Sequence, residues 1–165
     1  MYADQLINLI NSDNTLKRIF CGIFAYDTLD NFSLKKNKIC ALIINTDPST
    51  LPGEHWLLVY FNPHIKTIIW FDSYGHSPNY YGKEIKKWLW SFGLIVKISS
   101  QKIQSEKSEY CGLFCLYVLY FLSRNVPLYK ILSNFSVNLN YNDKIVQYFV
   151  WDIFKLKIIN MIKKL

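Results

Sequence analysis

The segment Cys111–Leu122 runs for twelve residues without a charge, between the polar stretch Gln104-Ser105-Glu106-Lys107-Ser108-Glu109 and Ser123-Arg124. Roughly 20 apolar residues are needed to span a bilayer, so this run is too short to cross one and reads as a core helix. A chain of 165 residues is long enough for one ordinary domain built around such a helix and too short for two comfortable ones. A single domain over 1–165 is therefore expected. The 51% hydrophobic and 17% aromatic content supplies a large core and argues against disorder.

The formal charge of +7 comes from 19 basic residues, of which only Arg18 and Arg124 are arginine. Bidentate reading of guanine edges is poorly supplied, whereas phosphate neutralisation by lysine is well supplied. Any nucleic-acid contact would be blind to sequence, and a merely soluble basic surface fits the charge equally well. The cysteines are Cys21, Cys40, Cys111 and Cys115. The chain does not open on a basic segment, an apolar stretch and a small-residue cleavage site, so secretion is not expected, the thiols are expected to be reduced, and no disulfide framework is foreseen. Cys115 lies one helical turn after Cys111, but no second close pair of Cys or His completes a zinc set, and no metal is expected.

Around the central run, periodicity places a short helix over Asp4–Ile10 and strands over Ile39–Ile44, His55–Asn62 and Thr67–Asp72. The last two strands are joined by Asn62-Pro63-His64-Ile65-Lys66, which has the chemistry of a hairpin turn. Ile85, Trp88, Leu89 and Phe92 recur at helical spacing within Tyr80–Phe92, with Gly93 as its closing residue and Lys83, Lys86 and Lys87 facing solvent. A strand over Leu94–Ser99, a shorter helix over Pro127–Asn134 and a helical tail from about Asp143 to Lys164 complete the pattern. The tail carries Lys155, Lys157, Lys163 and Lys164, read as a solvated face. Helices at both ends of a group of strands predict the α+β class, with a central mixed or antiparallel sheet packed by helices.

The start of the core helix is where chemistry is expected. Orphan backbone N–H groups and the positive end of the helix dipole favour a thiolate at Cys111, and Gly112 leaves no side chain in the way of a substrate. Thiolate catalysis also needs a base, an acceptor that orients it, and donors aimed at the developing oxyanion. His55, His64 and His76 are the only histidines. If the hairpin folds back, the start of one strand lies beside the end of the next, which brings His55 to Asp72. His64 sits in the turn, and His76 on a loop less able to hold a fixed geometry. Taken singly, each residue has a structural reading: a small core filler, a satisfied strand histidine, a strand-ending aspartate.

Taken together, they resemble a known family. Gly53-Glu54-His55-Trp56, Phe71-Asp72-Ser73-Tyr74-Gly75, and Gln104 seven residues before Cys111-Gly112-Leu113-Phe114-Cys115 are ordered and spaced as in the adenovirus-type maturation proteases, the adenains. Tyr26-Asp27-Thr28-Leu29 and Cys40-Ala41-Leu42-Ile43-Ile44-Asn45-Thr46 extend the resemblance over about residues 20–124. It implies a cysteine endopeptidase with a papain-like fold of the group that includes the SUMO-removing proteases. By resemblance, Cys111 is the nucleophile, His55 the general base and acid, Asp72 its orienter and Gln104 an oxyanion donor beside the Cys111 N–H, while Trp56 walls a narrow groove that admits glycine.

The implied substrates are capsid and other structural precursors of a double-stranded DNA virus, virophage or related mobile element, cut at Gly-containing sites in the virion and the infected cell. The competing readings are a deubiquitinase-like or SUMO-protease-like activity on host proteins, and a silent basic module that binds DNA or capsid. A monomer with no membrane association and no required cofactor is expected. Stimulation by DNA is a trait of the family that the lysines fit. Adenovirus enzymes typically carry Glu where Asp72 stands, and the SUMO-protease relatives carry Asp. The adenovirus enzymes also hold a viral peptide activator through a cysteine shortly before the Gln, but no cysteine occurs between Cys40 and Cys111, so a covalent activator is not expected here.

Overall fold

The apolar run becomes α4, Cys111–Leu122, with the boundaries read from the sequence. All of its residues except Tyr120 and Phe121 are buried, as expected of a helix that is hydrophobic all round. The computed structural model describes residues 2–162 and sets α4 among α1 (Ala3–Asn11), α2 (Asn14–Ile19), β1 (Phe20–Ala25), a 3-10 segment (Tyr26–Asn31), β2 (Cys40–Asn45), β3 (Trp56–Asn62), β4 (Thr67–Phe71), α3 (Lys83–Trp90), β5 (Ile95–Ile98), α5 (Leu128–Leu132) and α6 (Leu139–Ile162). The strands form one sheet in sequential order. The two outer pairs, β1 with β2 and β4 with β5, are parallel, and the inner pairings of β3 are antiparallel.

Alternation along the inner strands builds two cores. Ala41, Ile43, Leu58, Tyr60 and Phe71 face one side and pack with Phe114, Leu116 and Val118 of α4, with Leu6 and Ile10 of α1 and with Val146 and Val150 of α6. Leu42, Ile44, Leu57, Val59, Phe61, Ile68 and Trp70 face the other and meet Ile85, Trp88 and Leu89 of α3. Each fully buried side chain of this size contributes roughly 1.5–3 kcal/mol from area alone. With both faces covered, the inner strands read as nearly continuous apolar runs.

Several boundaries differ from expectation for identifiable reasons. α2 and β1 were not foreseen. α2 is a six-residue helix fixed by Asp13, whose carboxylate accepts from the N–H groups of Thr15 and Leu16, both at 2.9 Å. β1 is an edge strand whose register slips between Phe20 and Gly22, which blurs its alternation. The helix foreseen from Tyr80 starts only at Lys83, because Gly82 has φ 122° and leaves Pro78–Tyr81 as a separate 3-10 turn. α6 begins at Leu139 instead of Asp143, where the Asn138 side chain accepts from the Tyr141 N–H at 3.2 Å. In the tail, Lys155 is exposed, while the side chain of Lys157 and all of Lys163 and Lys164 lie outside the described residues.

The expectation of four reduced thiols is corrected at one pair: Cys21 and Cys40 form a disulfide. The shifted register at the start of β1 sets Cys21 beside the first residue of β2, with the two Cα atoms 6.1 Å apart, within the range that a disulfide bridges. Cys111 and Cys115 are free and buried.

Candidate active site

The site forms at one end of the sheet, where β2 and β4 finish and β3 begins. Asn45 pairs with Trp56, and the Thr46 N–H donates to the His55 carbonyl at 3.0 Å. His55 therefore stands one residue ahead of β3, not within the strand as expected, yet its backbone is still tied to the sheet. The turn leading into it requires Gly53, which has φ +98° and lies so close to the Asn45 side chain that any Cβ would collide with it. Across the hairpin, Leu58 pairs with Phe71, so Asp72 leaves β4 directly opposite the entry to β3. The His55 Nε2 and Asp72 Oδ1 are 2.7 Å apart.

Asp72 is fully buried and surrounded by donors. Besides His55, Oδ1 accepts from the Tyr74 N–H at 2.9 Å, and Oδ2 accepts from the His76 N–H at 3.0 Å and the Tyr81 hydroxyl at 2.7 Å. Burial opposes ionisation, but these bonds, led by the hydrogen bond and charge of His55, hold the carboxyl below the usual range. For the imidazole, burial works against the charge. The hydrogen bonds to Asp72 and Cys111, together with their charges, outweigh it and bring His55 up to about 9. Since Nε2 is committed to Asp72, Nδ1 is the nitrogen left for Cys111. The Tyr74 ring stacks on the imidazole with centroids 4.8 Å apart and planes inclined by 28°.

Cys111 is the first residue of α4, whose N-terminus has no side-chain cap. One turn on, the fully buried Cys115 donates its S–H to the Trp56 carbonyl at 3.4 Å. Burial, and then the nearby Cys111, push the Cys115 thiol well up, which keeps it a neutral packing group. Trp56 is 7% exposed and lines a cavity of about 660 Å³ together with His55, Glu54, Tyr74, Glu109 and Cys111. A second cavity of about 580 Å³ continues past Glu54, His55 and Tyr74 to Asp47, Tyr81 and Glu106.

Gln104 is buried on the loop before α4. Its Oε1 accepts from the Ser73 hydroxyl at 2.6 Å, and its Nε2 donates to the Ser108 carbonyl at 2.6 Å and to the Tyr74 hydroxyl at 3.3 Å. A carbonyl only accepts, so the Ser108 contact fixes which end of the amide is nitrogen. The loop is strapped to the end of β4: the Ile103 and Gln104 N–H groups donate to the Ser73 carbonyl at 2.9 and 3.1 Å. Gly75, at φ +78°, comes so near that a Cβ would stand 2.8 Å from the Ser100 carbonyl oxygen. From the other side, Asn142 of α6 donates to the Ile103 carbonyl at 3.0 Å and Asp143 accepts from the Ser105 hydroxyl at 2.5 Å.

The structure thus brings His55, Asp72 and Cys111 together, sets Trp56 in the wall beside them, and places Gln104 behind Tyr74. His64 stays exposed in the turn at the other end of the sheet. His76 stacks on Tyr80 with centroids 3.8 Å apart, and its Nδ1 lies 3.4 Å from Asp72, on the far side of the carboxylate from His55. Sequence reasoning gave no role to Ser73, Tyr74, Tyr81, Asn142 or Asp143. Ser73 and Tyr74 lie within the motif Phe71-Asp72-Ser73-Tyr74-Gly75, whereas Asn142 and Asp143 carry no local signal. Among the described residues, no group of three His, Cys, Asp or Glu is arranged to hold a metal ion, and no helix is long and apolar enough to cross a membrane.

Residues 20–141 match the family described as adenovirus endoprotease. The chain is similar to the protease of human adenovirus B serotype 3, at 30% identity over 128 residues covering 67% of this chain and 61% of that one. It is also similar to the proteases of ovine adenovirus D serotype 7, at 32% over 139 residues (74% and 66%), and porcine adenovirus A serotype 3, at 32% over 99 residues (52% and 48%). The matched segments therefore span between about half and two-thirds of these relatives' own lengths. Among solved structures, the Chlamydia trachomatis effector protein ChlaDUB1 is similar with a TM-score of 0.58 at 18% identity, over 92% of this chain and 70% of that one. At that identity the likeness bears on fold alone, and the fold is the α+β, papain-like and SUMO-protease-like one expected from the sequence.

Proposed function

Because the chain belongs to the adenovirus endoprotease family, we propose that it is a viral maturation cysteine endopeptidase acting on capsid and other structural precursor proteins. The observation that carries this reading is the His55 imidazole, bonded at once to the buried Asp72 carboxylate and to Cys111 at the mouth of a cleft. The Cys111 sulfur attacks the scissile carbonyl carbon, and the imidazolium passes its proton from Nδ1 to the departing amine. Water then attacks the thioester with His55 as base, the acid product leaves and the thiol is restored. Asp72 holds the ring in one orientation and favours its charged form throughout. The Cys111 backbone N–H is a donor to the negative charge that develops on the carbonyl oxygen, and the Gln104 amide supports that side of the cleft from behind Tyr74.

The wall formed by Trp56, beside Pro52 and Gly53, favours glycine near the cut bond. The enzyme works as a single-domain monomer in the virion and the infected cell, with no metal and no covalently held peptide activator. The deciding experiment is co-expression with the major capsid precursor of the same genome, comparing the chain with Cys111→Ala. Processing by the first, and none by a folded Cys111→Ala variant, is expected. Uncut precursor together with cleavage of a ubiquitin-like fusion would move the reading to a host-directed activity.

A further inference from the structure

The Gln104 amide has two N–H protons, and both are engaged: one on the Ser108 carbonyl at 2.6 Å and one on the Tyr74 hydroxyl at 3.3 Å. Its oxygen is occupied by the Ser73 hydroxyl at 2.6 Å. An amide clamped by two bonds of this length turns only by breaking one of them, so a direct donation from Gln104 to a substrate oxygen is opposed by its own surroundings. The Tyr74 hydroxyl is placed differently. It accepts from Gln104, while its own proton is held only by the distant Ser108 carbonyl, at 3.5 Å, the outer limit of a hydrogen bond. Tyr74 also lines the cavity that holds Cys111. Its position is fixed at both ends, by the stack of its ring on His55 and by the bond from its N–H to Asp72.

Resting on the proteolytic reading above, we infer that the Tyr74 hydroxyl is a further catalytic group: it donates its proton as a hydrogen bond to the oxyanion, and Gln104 acts through it. An anionic oxygen is a far better acceptor than a carbonyl at 3.5 Å, so the hydroxyl hydrogen swings onto it as the charge forms. The bond from Gln104 Nε2 polarises the same hydroxyl and makes it a stronger donor. No covalent bond to hydrogen breaks, and the proton stays on Tyr74. Burial first, and then the charge of Cys111, push the phenol above its ordinary range, so it keeps its proton to a higher pH than a free tyrosine does.

The test is a double-mutant cycle on the full chain with Tyr74→Phe, Gln104→Ala and the pair, using cleavage of a glycine-containing precursor peptide. Iodoacetamide labelling of Cys111 and NMR titration of His55, neither of which needs an oxyanion donor, serve as controls. Tyr74→Phe keeps the ring and is expected to lower kcat about 10- to 100-fold, somewhat less than the loss of a whole oxyanion donor. KM, the alkylation rate and the His55 titration are expected to be unchanged. Adding Gln104→Ala to Tyr74→Phe should cost less than about twofold more, because the amide then has no hydroxyl to act through. Tyr74→Phe within about twofold of the parent kcat, or a Gln104→Ala loss as large in the Tyr74→Phe background as in the parent, would overturn the role. Equal losses in alkylation and in cleavage would show a structural effect and overturn it as well. A parent chain that is alkylated at Cys111 yet cuts no peptide would remove the proteolytic reading itself, and this role with it.

Discussion

At the scale of single residues, the ionisation of the pair His55 and Asp72 bears on stability and on the proposed chemistry alike. The imidazole is raised from 6.5 to about 9. Its charged form therefore stabilises the fold fully below about pH 6.5, and that contribution is lost as the pH climbs through 9. Asp72 has the opposite sign: its lowered carboxyl contributes above its ordinary value of 3.8, and the contribution is lost as the pH falls through the depressed value. Asp72→Asn removes the leading influence that raises His55 and leaves burial opposing the charge. The His55 titration, read by NMR, is expected to fall from about 9 towards or below its ordinary value, and the alkaline limb of kcat/KM with it. A limb that stays in place would mean that another group sets it. His55, Asp72 and Cys111 were legible in the sequence because hairpin pairing and a helix start fix where such residues stand. Tyr74 was not, since nothing in the order of residues says that one side chain will stack on the imidazole and also reach the Gln104 amide.

At the scale of elements, the loop from Ser99 to Tyr110 carries Gln104 without secondary structure of its own beyond turns, so neighbours must hold it. The turn after β4 supplies the Ser73 carbonyl, and α6 supplies Asn142 and Asp143. Asn142 is fully buried; its amide donates to the Ile103 and Ser136 carbonyls at 3.0 and 2.8 Å and accepts from the Ser136 N–H at 2.8 Å. Asn142→Ala would strand those partners, a cost on the order of 1–3 kcal/mol. A lower urea midpoint is expected, along with a several-fold lower kcat and little change in KM, because the Gln104 loop loses its support from α6. An unchanged kcat in the destabilised variant would show that β4 alone aligns the loop. α6 itself was foreseen as a helical tail, but its hold on the loop spans 39 residues of sequence, beyond the reach of periodicity or motif.

At the scale of the whole molecule, the cleft and a basic cavity lie at opposite ends of the sheet. The cleft is bordered by Asp47, Glu54, Glu106 and Glu109, with Lys102 paired to Glu106 at 2.7 Å. Arg18, Lys35 and Lys38 line a separate cavity of about 470 Å³ beside the start of β2, the end of the sheet away from His55. A polyanion drawn to that basic end would not obstruct the cleft. Cleavage is therefore expected to rise several-fold with double-stranded DNA at low salt, irrespective of sequence, and the gain to fade steeply with added salt as counterion release weakens. Equal turnover with and without DNA at low ionic strength would exclude it. The sequence by itself determined the α+β class, the central helix, the inner strands and three residues of the site, because these follow from hydrophobic period, turn chemistry and helix-end electrostatics, which act over a few neighbours. Only the tertiary structure decided the Cys21–Cys40 bond, the β1 edge, the hold of α6 on the Gln104 loop and the place of Tyr74 between base and amide. Each of these depends on which distant surfaces meet when two cores close on one sheet, and no local pattern of residues encodes that.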